Sequence, residues 1–320
     1  MNNNLVPAHG DNIGKSSTPG NLSGIREAAL QGTEYVARVT RKNPAAIVIM
    51  IDQSGSMRFS YTTGVSKAKT VADIVNSLLQ DLLNKCIKEQ GIKNYFNILV
   101  FGYGDKITKI WEGGLEDRQW VTVEDLRDNV VETVREEAQR STPFGVKNYV
   151  KERYKWISEK FDGSATNMRQ AFEYCQSILE DWTLEHEDSF PPLVFNITDG
   201  LPTDIKGDFD QWLQTCNNLT SVSTKDGNTL LFNILLTNGE EVVMPGNENS
   251  QGMLANEYHR AMIFGSSVLP VALRGIAYNV FKEDRIRNEH TRCLIINSTP
   301  KSVIGMLNIG TNTLLSNVSE

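Results

Sequence analysis

The stretch AAIVIMID, residues 45 to 52, constrains the fold more than any other part of the chain. Apolar residues run without interruption from Ala45 to Ile51, and a carboxylate, Asp52, ends the run. A strand with one face in water alternates apolar and polar side chains; a strand covered on both faces has no such need. The run therefore predicts a strand of a parallel sheet flanked by helices. The residues that follow, QSGSM, then stand at the strand's carboxyl end. Ligands bind outside the carboxyl ends of such strands, which makes Asp52, Ser54 and Ser56 candidate functional residues.

The same reading extends along the chain. YFNILVFG (95–102), PPLVFNITDG (191–200) and TLLFNILL (229–236) are further buried strands, SVLPVAL (267–273) is a weaker one, and KITKIW (106–111) alternates as an edge strand does. Between 64 and 90, Val71, Ile74, Val75, Leu78, Leu79, Leu82 and Leu83 recur at three- and four-residue steps, the pattern of a long amphipathic helix that Gly91 ends. Helices are also expected at 167–182, 207–222 and 300–310. Strands alternating with helices imply an α/β fold with a doubly wound, mainly parallel, Rossmann-like sheet. The charged stretch 112–162 reads as a helical insertion on its rim, and residues 1–24, polar and rich in Asn, Gly and Ser, read as a flexible arm. One domain over 25–320 is expected, with a core at about 44–275 and a C-terminal extension at 276–320.

Composition excludes some functions. The 320 residues are 40% hydrophobic and 22% charged, with a net charge of -7, so a general binder of nucleic acid, which needs a clustered positive surface, is not expected. The N-terminus lacks a basic segment followed by an apolar one, and no apolar run reaches membrane-spanning length, so a cytoplasmic location without membrane insertion is expected. Cys86, Cys175, Cys216 and Cys293 are widely spaced with no CxxC and read as reduced, packed thiols. GKSS at 14–17 resembles the end of a phosphate loop, but His9 stands where that loop needs glycine. His186, His259 and His290 are isolated, and no GxSxG is present.

The candidate site draws on three segments. Asp52, Ser54 and Ser56 follow the first strand, Asp199 follows the strand at 193–198, and Thr166 lies in DGSATNM (162–168), just before a helix. Two carboxylates and three hydroxyls make a hard, all-oxygen donor set of the kind that suits Mg²⁺, with Mn²⁺ as a second fit. Either Asp alone could merely cap a helix; both, with the serine pair and the threonine loop, exceed that need. Asp204 reads as a cap or a turn residue beside the site rather than a ligand.

These residues carry a resemblance. DQSGS matches the Asp-x-Ser-x-Ser motif of the von Willebrand factor type A (vWA) family, GSATNM resembles its threonine loop, and ITDGLPTD is similar to its strand-end aspartate motif, in the family's order over roughly 44–275. The resemblance implies a metal-ion-dependent adhesion site. In it Ser54, Ser56 and Thr166 ligate Mg²⁺, Asp52 and Asp199 hold its waters or bind it, and a Glu or Asp of a protein partner completes the coordination. The threonine loop departs from the commonest pattern, with Asp162-Gly163 where Gly-Gly is frequent, and Ser164 is an alternative to the favoured Thr166. Within the family the chain looks most like bacterial intracellular vWA proteins associated with tellurium resistance and stress or conflict systems, which commonly act beside a protein kinase and a protein phosphatase. A non-enzymatic binding module is thus expected. The runner-up is phosphoryl transfer of the haloacid-dehalogenase type, which wants Asp-x-Asp, and here Ser54 takes the second place. A third reading gives the partner contact to the 112–162 insertion.

Overall fold

The structure is a computed structural model that describes residues 35–62, 64–89, 91–142, 145–246, 256–316 and 318. The expected arm at 1–24, GKSS included, lies outside the described residues. Strand β1 (Ala45–Asp52) is buried along its whole length. Ala45, Ile47, Ile49 and Ile51 enter one core, while Ala46, Val48 and Met50 enter a second on the opposite face. Both faces are covered, which is why the run needs no polar alternation.

Helix α1 (Lys67–Cys86) follows, its N-terminus capped by Ser66, whose hydroxyl accepts the Lys69 amide at 3.0 Å. It lays Val71, Val75, Leu79 and Leu82 on the first core. Strand β2 (Phe96–Tyr103) pairs in parallel with β1, and β3 (Ile107–Lys109) and β4 (Val121–Thr122) pair antiparallel with β2. The short α2 (Val123–Asp128) opens with a Thr122–Asp125 capping box. A ribbon, β5 (Glu132–Thr142) and β6 (Gly145–Lys155), comes next, then α3 (Met168–Glu185) and β7 (Leu193–Thr198). The rest is α4 (Phe209–Ser221), β8 (Leu230–Leu235), β9 (Val242–Val243), α5 (Glu257–Gly265), α6 (Val271–Phe281), β10 (Leu294–Ile296) and α7 (Pro300–Ser316).

The main sheet has the order β9-β10-β8-β7-β1-β2-β3, with β4 also on β2. Neighbours from β10 to β2 are parallel. Helices α1, α6 and α7 contribute to the first core and α3, α4 and α5 to the second, so the sheet is doubly wound as expected. The chain leaves β1 for β2 on one side and returns to β7 on the other. The order therefore reverses beside β1, and the carboxyl ends of β1 and β7 meet there. Among the described residues no helix is long and apolar enough to cross a membrane.

Two expectations are corrected. The insertion at 112–162 is not mainly helical: α2 is its one α-helix among the described residues, and the longer part is the β5–β6 ribbon. Opposed charges pair across the ribbon, Arg135 with Glu152 at 3.0 Å and Lys155 with Glu132 at 2.8 Å, in direct register. Its base docks on α1, where Gln80 donates to the Glu152 carbonyl at 2.9 Å and accepts the Tyr154 amide at 3.2 Å. The segment 267–273 is likewise no strand. Val268 makes a single bridge to Arg292, and the chain turns into α6 behind Pro270, which has no amide to give a ladder. The outer parallel strand is β10, so the sheet runs on beyond residue 275.

Candidate metal centre

At the end of β1 the chain turns around its own carboxylate. The Ser54 amide donates to Asp52 Oδ1 at 2.8 Å, and the Thr198 hydroxyl of β7 donates to Oδ2 at 2.6 Å. The Ser54 and Ser56 hydroxyls stand 3.1 Å apart, and Ser56 Oγ donates to Asp199 Oδ1 at 2.6 Å. Thr166 is tied to the loop after β7 by a reciprocal pair: its amide donates to Thr203 Oγ1 at 3.0 Å, and the Thr203 amide donates to its carbonyl at 3.0 Å. A Cβ on Gly200 would stand 3.1 Å from Thr166 Oγ1 and 3.8 Å from Asp52 Oδ2, so these oxygens border the same small space. All five residues singled out in the sequence thus meet at one point of the sheet edge.

Ser164 does not join them. It is exposed, and its amide, with that of Ala165, donates to Asp105 Oδ1 at 3.0 and 2.8 Å. The same carboxyl lies against Gly163, whose φ of +69° and lack of a side chain admit it; a Cβ there would come within 1.9 Å. The loop's Asp162-Gly163 therefore keeps its glycine where the backbone requires one. Asp204 accepts the amides of Arg169 and Gln170 at 3.1 and 3.0 Å, which caps α3. His186 packs on Trp182, and the four cysteines are buried.

Electrostatics sharpen the picture. Burial, and after it the charge of Asp199, pushes the Asp52 carboxyl above the usual aspartate range, against the pull of the Thr198 and Ser54 hydrogen bonds. Lys67 Nζ lies 2.7 Å from Asp199 Oδ2, in a pair whose side chains are 10% and 1% exposed. The Tyr258 hydroxyl is buried with no hydrogen-bond partner among the described residues. Burial, and then the charges of Asp52 and Asp199, hold its proton well above the ordinary tyrosine value. Sequence reasoning missed Thr198, Lys67 and Tyr258. Lys67 carried a signal, since a cation in the first turn of a helix opposes the helix dipole and asks for a reason.

The donor set fits a hard divalent ion. Two oxygens at right angles on an ion held at about 2.1 Å stand about 3.0 Å apart, and the Ser54–Ser56 separation is 3.1 Å. The Ser56 proton points to Asp199, which leaves its lone pairs for an ion. Among the described residues no group of three or more His, Cys, Asp or Glu side chains is placed to hold a metal, and the oxygens that gather here are those of two carboxylates and three hydroxyls.

No family model and no curated protein matches the chain. Among solved structures it is similar to the manganese-loaded TRAP protein of Plasmodium vivax, at 18% identity over 65% of this chain and 60% of that one, with a TM-score of 0.30. It is similar to the pilus adhesin SpaC of Lactobacillus rhamnosus GG at 12% identity, over 88% of this chain and 32% of that one, with a TM-score of 0.44. The pilus adhesin RrgA of Streptococcus pneumoniae is matched at 14% identity, over 54% of this chain and 22% of that one, with a TM-score of 0.29. The chain spans less than two thirds of each of these.

Proposed function

We propose that the protein is a non-enzymatic binding module that depends on Mg²⁺ or Mn²⁺. Ser54, Ser56 and Thr166 ligate the ion, Asp52 and Asp199 bind it or hold its waters, and a Glu or Asp of a protein partner completes its coordination. The observation that carries this reading is the meeting of those five oxygen-bearing side chains at the carboxyl ends of β1 and β7. Neutral hydroxyl ligands leave a divalent ion short of charge, and such an ion seeks an external carboxylate. A phosphoryl-transfer site would need a second carboxylate where Ser54 stands, which speaks for binding over catalysis. The resemblance to intracellular vWA proteins supports a place in a bacterial stress or conflict system beside a protein kinase and a protein phosphatase. Cys86, Cys175 and Cys293 are buried free thiols, which is in keeping with the reducing cytoplasm.

The test is a binding assay against partners recovered from native lysate. EDTA, and neutralisation of the partner's contact residue (Glu→Gln or Asp→Asn), should each lower affinity to the same floor, with little further loss on combination. Additive losses would show that the ion and the acidic residue act independently, contrary to the proposal.

A further inference from the structure

Lys67 opens α1, and its place there is unfavourable on two counts. A cation at a helix N-terminus opposes the helix dipole, and at 8% exposure the residue has shed most of its water. Asp199 offsets both, with its Oδ2 held 2.7 Å from the ammonium. The other oxygen of that carboxylate takes the Ser56 proton at 2.6 Å. The lysine is therefore joined to the candidate ligands through a single carboxylate. It is a member of the cluster, not a bystander on its rim.

We propose that Lys67 is a resident cation that sets the charge of the metal centre, loosening its hold on the divalent ion and leaving one positive charge for an external carboxylate. This rests on the reading of the site as a divalent-cation centre. Around a bound ion, Asp52 and Asp199 supply two negative charges and the ion two positive ones. Without the lysine that sum is zero, and only the ion's unfilled coordination position draws an anion to the loaded site. With Lys67 the sum is +1, and one partner Glu or Asp brings it to zero. The residue exchanges affinity for the ion against affinity for the partner's carboxylate, which accounts for a lysine in a position otherwise so unfavourable.

The two effects have opposite signs, and that makes the idea testable. Calorimetric titration of the full chain with MgCl₂ should show Lys67→Met binding Mg²⁺ about 10- to 100-fold more tightly than wild type, with Lys67→Arg restoring the weaker binding. In the Mn²⁺-loaded proteins, acetate should displace ion-bound water, read by water-proton relaxation, at higher concentration in Lys67→Met than in wild type. If Lys67→Met fails to fold without an ion, Lys67→Gln, which keeps a hydrogen-bond donor without the charge, carries the same expectations. Unchanged or weaker Mg²⁺ binding in the uncharged variants, or undiminished acetate sensitivity, overturns the role of Lys67 while leaving the metal centre standing. No Mg²⁺ binding in wild type or any variant overturns the metal centre itself, and this inference with it.

Discussion

Asp199 accepts from two donors at once, Ser56 Oγ at 2.6 Å and Lys67 Nζ at 2.7 Å, and so holds a structural charge as well as a candidate ligand. Asp199→Ala should destabilise the ion-free protein by about 3 to 5 kcal/mol, because it strands a buried cation. Adding Lys67→Met should recover much of that loss, as read from urea denaturation. Asp52 predicts a pH dependence. Its folded carboxyl binds a proton more tightly than its unfolded one, through burial first and the charge of Asp199 second. Stability in EDTA should therefore be fully present below the usual aspartate range and should fall as pH rises from that range through the raised folded value. A pH series of urea midpoints checks this, and Asp52→Asn should lack that part of the slope. The motif residues were legible because their types and strand-end positions are local facts. Lys67 showed only as a misplaced cation at a helix start, and what it pairs with was not legible, since Asp199 lies 132 residues away.

Elements differ in how far local sequence determines them. Strands β1, β2, β7 and β8 were legible because a continuous apolar run admits few other placements. The β5–β6 ribbon was not. Glu132 with Glu136, and Arg135 with Gln139, recur at the four-residue steps of a helix, whereas their ribbon partners Lys155 and Glu152 lie 23 and 17 residues beyond Glu132 and Arg135. Strand β10 is only Leu294–Ile296, too short for a period to register, and it is a strand because β8 and β9 pair with it. The ribbon's attachment yields a prediction. Buried Asn76 of α1 donates to the Ile157 carbonyl at 2.8 Å and accepts the amides of Trp156 and Ile157 at 2.9 and 3.3 Å. Asn76→Ala leaves these backbone groups without partners and should cost about 2 to 3 kcal/mol. Loss of amide-exchange protection at the base of the ribbon should accompany it.

For the whole molecule, the candidate centre sits where three segments converge: the turn from β1 into α1, the loop before α3, and the turn after β7. An ion there would tie helices from both faces of the sheet to the strand edge, so loading should raise global stability. Mg²⁺ at about 100 times its dissociation constant should add about 2.7 kcal/mol to the unfolding free energy. Ser54→Ala, with binding weakened about tenfold or more, should forfeit about half of that gain or more at the same Mg²⁺ concentration, as seen in thermal unfolding. The central claim is that these side chains form one divalent-cation site, and calorimetric titration of Mg²⁺ into the full chain tests it most directly. The account predicts a single saturable site in wild type, weakened about tenfold or more in each of Ser54→Ala, Ser56→Ala, Thr166→Ala and Asp199→Ala. No saturable binding in wild type, or unchanged affinity in all four variants, would contradict it.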